Sequence, residues 1–159
     1  MGREVTSARA AALVAQLQEA ATRLLALLER VDDTHWGRVP APDVWCIGKD
    51  ADHVAEATGY HQWIVRLTIG EKVGSRRPVL ERKQMTSDRT RDELLVLIRD
   101  RTAEGVSLIA GLSDQQLDLP TKPPRANGQR LAETIERVLI GHYGVHRMDI
   151  EAKLMAQDR

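Results

Sequence analysis

His142 and His146 stand four residues apart in a stretch whose apolar residues repeat at helical spacing, and His53 stands in an earlier stretch of similar character. On an α-helix, residues i and i+4 share a face, about 6 Å apart along the axis. That face would otherwise be core, because Leu131, Ile135, Val138, Leu139 and Val145 lie on or beside it. Imidazoles on a buried stripe lose hydration unless something satisfies their nitrogens. A divalent metal does so. Neutral histidine suits Zn²⁺, Ni²⁺ or Fe²⁺, and three protein ligands leave a further position open for water or substrate. H-x-x-x-H also arises by chance on a solvated flank, so the pair alone leaves ligand and surface roles both open.

Four segments must position these side chains. Apolar periodicity predicts helices over about Thr6–Val31, Gly48–Ile69, Thr90–Leu112 and Gln129–Met155. In the first, Val14, Leu17, Ala21, Leu24, Leu28 and Val31 repeat on one face; in the second, Ala57, Tyr60, Ile64 and Leu67 do. The third opens with the capping-box pattern Thr90-x-x-Glu93. Strand patterning is weak throughout. The connections at 32–47, 70–87 and 113–128 carry Pro or Gly and are longer than those of tight up-and-down bundles. The expectation is one all-α domain over residues 1–159, a four-helix bundle in which consecutive helices need not be antiparallel.

Composition narrows the function classes. Hydrophobic residues make up 42% and charged ones 29%, as in soluble globular proteins. With no Phe, the core has to be Leu, Ile, Val and Ala, which favours helix. The 23 basic and 23 acidic side chains cancel, and no basic tract is present to neutralise phosphates, so nucleic acid is not the expected partner. The single cysteine, Cys46, excludes an intramolecular disulfide and fits a reducing compartment. The N-terminal apolar run from Ala10 to Ala15 is too short for a signal peptide, and no apolar run approaches the roughly 20 residues of a membrane span. A cytoplasmic protein without membrane contact is expected.

The segment Trp45-Cys46-Ile47-Gly48-Lys49-Asp50-Ala51-Asp52-His53 places a tryptophan eight residues before a histidine. Together with His142-Tyr143-Gly144-Val145-His146 in the last helix, this W-x7-H resembles the DinB-like superfamily of metal-dependent proteins, over nearly the whole chain. The resemblance implies a bundle holding one divalent metal on His53, His142 and His146. It also implies chemistry such as S-transfer from bacillithiol or mycothiol, or mycothiol-dependent isomerisation of maleylpyruvate. One position departs from the pattern. Cys46 and Lys49 replace the usual Ser and Glu of a capping box, so the second helix is expected to start less firmly.

Other residues have competing readings. Glu56, one turn after His53, is a candidate general base or acceptor for an imidazole N–H, against an ordinary solvated glutamate. His61 lies about 12 Å beyond His53 along the helix, too far to share one metal, and reads as a helix-face or pocket residue. His35 reads as surface. Cys46 at a helix start is a candidate reactive thiol, with a buried small side chain the plainer reading. Trp45, Tyr60 and Tyr143 are pocket or packing residues. Arg76, Arg77, Arg82, Lys83, Lys122, Arg125 and Arg130 lie in connections, where they are solvated or hold carboxylates of a thiol cofactor.

Three functions are compatible with these residues. In the first, a small thiol at the open position loses its proton and attacks an electrophilic small-molecule substrate. In the second, water in the same position hydrolyses a substrate. The third is a non-enzymatic bundle that binds metal or ligand, in a stress-response role. A homodimer is expected from the amount of aliphatic surface.

Overall fold

The computed structural model describes residues 6–76, 84–125 and 128–158. Four long helices carry the bundle: α1 (Ala8–Arg30), α3 (Ile47–Thr68), α4 (Arg91–Ala110) and the C-terminal helix. The last begins as α6 (Leu131–Thr134), passes through a π-helical stretch (Ile135–Ile140) and continues as α7 (Gly141–Gln157). Two short helices, α2 (Asp33–Gly37) and α5 (Asp114–Leu117), occupy connections in which no helix was expected. Both have an N-cap whose side chain accepts a backbone N–H, Asp32 for α2 and Ser113 for α5. No β-strand occurs among the described residues; Pro120 and Arg130 form an isolated antiparallel bridge.

Each long helix starts where its cap residues dictate. Ser7 Oγ accepts from Ala10 N at 3.1 Å, and Thr90 with Glu93 makes the full capping box. Cys46 is the N-cap of α3: Sγ takes the Lys49 N–H at 3.4 Å, and its own N–H donates to Met85 O at 2.9 Å. The sulfur is a weak acceptor, and the backbone bond to the 84–90 connection supplies a second tether.

α1 packs on α4 and α7, and α3 packs on the same two, so α1 and α3 face each other across the bundle diagonal. Directions follow from tertiary contacts. Ser7 meets Asp114 and Arg91 meets Val31 O, so α1 and α4 are antiparallel. Arg89 binds Asp52 and Gln62 binds Arg101 O, so α3 and α4 run parallel. Asp50 near the start of α3 meets Lys153 near the end of α7, so that pair is antiparallel. The order is up-down-down-up, with crossover connections, as the long linkers allow.

The core is aliphatic, as a chain without Phe requires. Leu17, Leu24, Leu28, Leu94, Ile98, Ile109, Leu131 and Ile135 are fully enclosed, each worth about 1.5–3 kcal/mol of burial. α1 reaches the length and mean hydropathy of a membrane span, contrary to the expectation that no stretch would. Its Leu13, Leu17, Leu24 and Leu28 form the stripe that packs into this core, and that use explains its apolar character. α3 is buried around most of its circumference and includes Asp50, Thr58, His61 and Gln62 among its buried residues. Thr58 Oγ1 donates to Val54 O and Gln62 Nε2 to Arg101 O, both at 2.7 Å, which satisfies polar groups that would otherwise be costly there.

Two glycines permit close approaches. A Cβ on Gly105 would stand 3.1 Å from Leu17 Cδ2, where α4 closes on α1. A Cβ on Gly48 would stand 2.6 Å from Nε1 of Trp36 in α2. Overpacking costs about 1–3 kcal/mol and the helix-propensity gain of Ala over Gly is at most about 1 kcal/mol. Gly48→Ala is therefore expected to lower the denaturant midpoint, by roughly 1 kcal/mol in stability. A raised midpoint would mean that Trp36 swings aside at no cost.

Candidate metal centre

α3 and α7 bring three imidazoles together. His53 lies 5.0 Å, ring centre to ring centre, from both His142 and His146, which are 4.5 Å apart. One ligating nitrogen from each lies within 4.8 Å of the other two. Tetrahedral ligation at about 2.0–2.1 Å separates nitrogens by about 3.4 Å, inside that bound. His146 is buried, while His53 and His142 are half-buried.

Burial holds two of the neighbouring imidazoles in the uncharged form. Burial first, then His146, His61, His53 and Arg125, push the His142 pKa down to about 3. Burial, Arg125 and His53 push His61 down to about 4. Both are neutral at pH 7, the form in which imidazole ligates. His142 Nε2 is buried and has no hydrogen-bond partner. An orphaned acceptor or donor of this kind costs about 1–3 kcal/mol, and a divalent ion removes that cost. The donor set therefore fits a borderline transition ion such as Zn²⁺.

Trp45 walls the cluster. Its ring centre is 5.1 Å from His53, and it stacks on His146 at 6.5 Å with 13° between planes. Lys49 Nζ lies 5.8 Å from the Trp45 ring centre. On the other flank His61 meets His142 edge-on at 5.3 Å, with its Nδ1 buried and unpartnered. The rise along α3 keeps His61 out of the group of three. It reaches His142 because α7 runs back along α3.

The structure separates the remaining candidates. Glu56 pairs with Arg89 at 3.2 Å, and Arg89 also binds Asp52 at 2.5 Å. The carboxylate that touches the cluster is Asp50, which was not singled out from the sequence: Oδ1 is 3.2 Å from His146 Nδ1, and Oδ2 accepts from Lys153. With Asp149, Asp50 and His146 also form a second grouping within 4.8 Å. The spacing Asp50-x-x-His53 was visible in the sequence, but nothing in it paired Asp50 with a residue 96 positions later.

Tyr143 is fully enclosed, with its hydroxyl 2.8 Å from Thr102 Oγ1 and its pKa raised by burial. It is a packing residue. Tyr60 stacks on Trp63 at 5.7 Å. His35, inside α2, bonds the N-cap Asp32 through Nδ1 at 2.7 Å. Cys46 is a buried, unpaired thiol. Arg76 donates to Gly59 O at 3.0 Å and Arg130 to Asp118 O at 2.8 Å. Lys122 is exposed, its backbone N–H donating to Thr68 Oγ1. Arg125 lines a cleft with His61, Thr134 and Val138, and its charge reaches both His61 and His142. Arg77, Arg82 and Lys83 lie outside the described residues.

The π-helical stretch ends on the doorstep of the site. Gly141 N–H bonds back five residues to Glu136 O, the spacing of a π turn. Such turns widen the helix and reset its phase, and here His142 follows directly.

Comparison with known proteins gives a family model described as the DinB superfamily, matching residues 16–150. A solved structure matches with a TM-score of 0.71 at 17% identity, covering 97% of this chain and 93% of the other. It is YfiT from Bacillus subtilis, described as "a probable metal-dependent hydrolase with an unusual four-helix bundle topology". At that identity the likeness shows the fold. No curated protein matches the chain.

Proposed function

We propose that this chain, which belongs to the DinB superfamily, is a divalent-metal-dependent enzyme whose ion is held by His53, His142 and His146. The observation that carries the reading is the convergence of three imidazoles within 4.8 Å, one with a buried nitrogen lacking any protein partner. A divalent ion held by these three residues would supply Lewis acidity, favouring the ionised form of a small nucleophile.

The chain's own residues do the rest. Trp45 shields His53 and His146 from water, which strengthens electrostatics inside the site. Arg125 sits where its charge is felt by His61 and His142, suited to a carboxylate on an incoming small molecule. Glu56 is the proton relay only if it leaves Arg89.

The nucleophile in this reading is the thiol of a small cofactor such as mycothiol or bacillithiol, transferred to an electrophilic substrate. The neighbour's description favours a second reading, hydrolysis with water as the nucleophile. Cytoplasmic residence fits the single unpaired thiol, and assembly as a homodimer is part of the proposal.

The test is elemental analysis of protein purified without an affinity tag, followed by paired assays. One assay offers small thiols with a chromogenic electrophile and the other offers chromogenic esters and amides. About one transition ion per chain and a chelator-sensitive rate in the first assay are expected. A rate confined to the second assay replaces transfer with hydrolysis. A protein that takes up no ion from a Zn²⁺, Ni²⁺ or Fe²⁺ series overturns the metal reading.

A further inference from the structure

We propose that Asp50 and Lys153 form a clamp that orients His146 for metal capture, a proposal that rests on the metal reading above. An ionised carboxylate can only accept hydrogen bonds. Asp50 Oδ1, 3.2 Å from His146 Nδ1, therefore takes that nitrogen as its donor and leaves Nε2 with the ligating lone pair. Without such a partner a neutral imidazole exchanges between tautomers and flips about its ring bond, and only one of these states can ligate through Nε2.

The clamp is itself held. Asp50 is 2% exposed, and an unpartnered carboxylate at that depth would be strongly destabilising. Lys153 donates to its other oxygen, so both oxygens are engaged and the carboxylate plane is fixed. Asp50 sits in the first turn of α3, where the helix dipole favours a negative charge. The antiparallel run of α3 and α7 brings Lys153, two turns past His146, alongside it. Trp45, stacked on His146, limits rotation from the ring face. His146 is thus held at one nitrogen and one face, whereas His142 has a buried nitrogen with no partner.

Asp50 and Lys153 are positioning residues, and the measurements that test this do not depend on turnover. Zn²⁺ affinity by chelator competition, Co²⁺ absorption spectra and long-range ¹H–¹⁵N spectra of the metal-free protein would be compared in wild type, Asp50→Ala, Asp50→Asn and Lys153→Met. Asp50→Ala is expected to weaken Zn²⁺ binding by about 10–100-fold, the range for outer partners of ligating histidines. Asp50→Asn, whose amide oxygen still accepts, and Lys153→Met are expected to lose less. The Co²⁺ bands stay in place, and His146 passes from a single Nδ1–H tautomer to a mixture in Asp50→Ala.

Should Asp50→Ala fail to fold, the near-isosteric Asp50→Asn and Lys153→Met carry the comparison. Unchanged affinity and tautomer in the folded variants overturn the clamp. A shift of the Co²⁺ bands also overturns it, by making Asp50 a ligand. A wild-type protein that binds no metal brings down the metal reading and the clamp together; tight wild-type binding matched by every variant brings down the clamp alone.

Discussion

His142→Ala is expected to abolish stoichiometric divalent-metal binding while the helices stay intact. The variant removes one of three nitrogens, and the two that remain come from different helices with no shared chelate geometry. Loss of a ligand exceeds the roughly 10–100-fold attached to outer partners. The readout is the metal-induced gain in stability: at a thousand times its dissociation constant a ligand adds about 4 kcal/mol, and the variant should gain none. Metal binding and stabilisation equal to wild type would remove His142 from the ligand set.

A second large effect concerns the protein without metal, which is expected to lose stability as pH falls from about 6.5 toward 4. In the unfolded chain a histidine takes its proton near pH 6.5, whereas His61 in the fold waits until about pH 4 and His142 until about pH 3. Between those values the unfolded state binds more protons, so acid favours unfolding. Above pH 6.5 both states are neutral at these residues and the effect vanishes. His61 alone accounts for on the order of 3 kcal/mol across the window. His142 acts in the same direction, weakened by its partial exposure. Urea midpoints measured from pH 7.5 to 5, where most carboxylates remain ionised, would show the slope. A flat profile, or one unaltered in His61→Leu, would contradict it.

Helical periodicity carries a strong signal in α1 and α4, which each bury one apolar face, whereas α3 is buried around most of its circumference. α1, α3 and α4 begin and end within one or two residues of the sequence expectation. Thr90 and Glu93 were legible because a capping box is local. The His53, His142 and His146 grouping was legible through i, i+4 spacing and the family pattern. Asp50 was not, because its meaning depends on Lys153 and His146 arriving from the far end of the chain. Glu56 was attractive from its spacing to His53, but Arg89, 33 residues away, pairs with it. Helix pairing followed the same rule. The sequence left the directions open, and long-range contacts such as Gln62 with Arg101 decide them.

Ile135-Glu136-Arg137-Val138-Leu139-Ile140 has the composition of an ordinary α-helix, so its wider turn had no signature. An α-helix advances about 100° per residue. Winding the same six residues as a regular α-helix would turn everything downstream by about that angle about the axis. His142 and His146 would then be carried off the face they share with His53, although the helix itself would become more uniform. In this segment, perfect local regularity and a working cluster of imidazoles exclude each other.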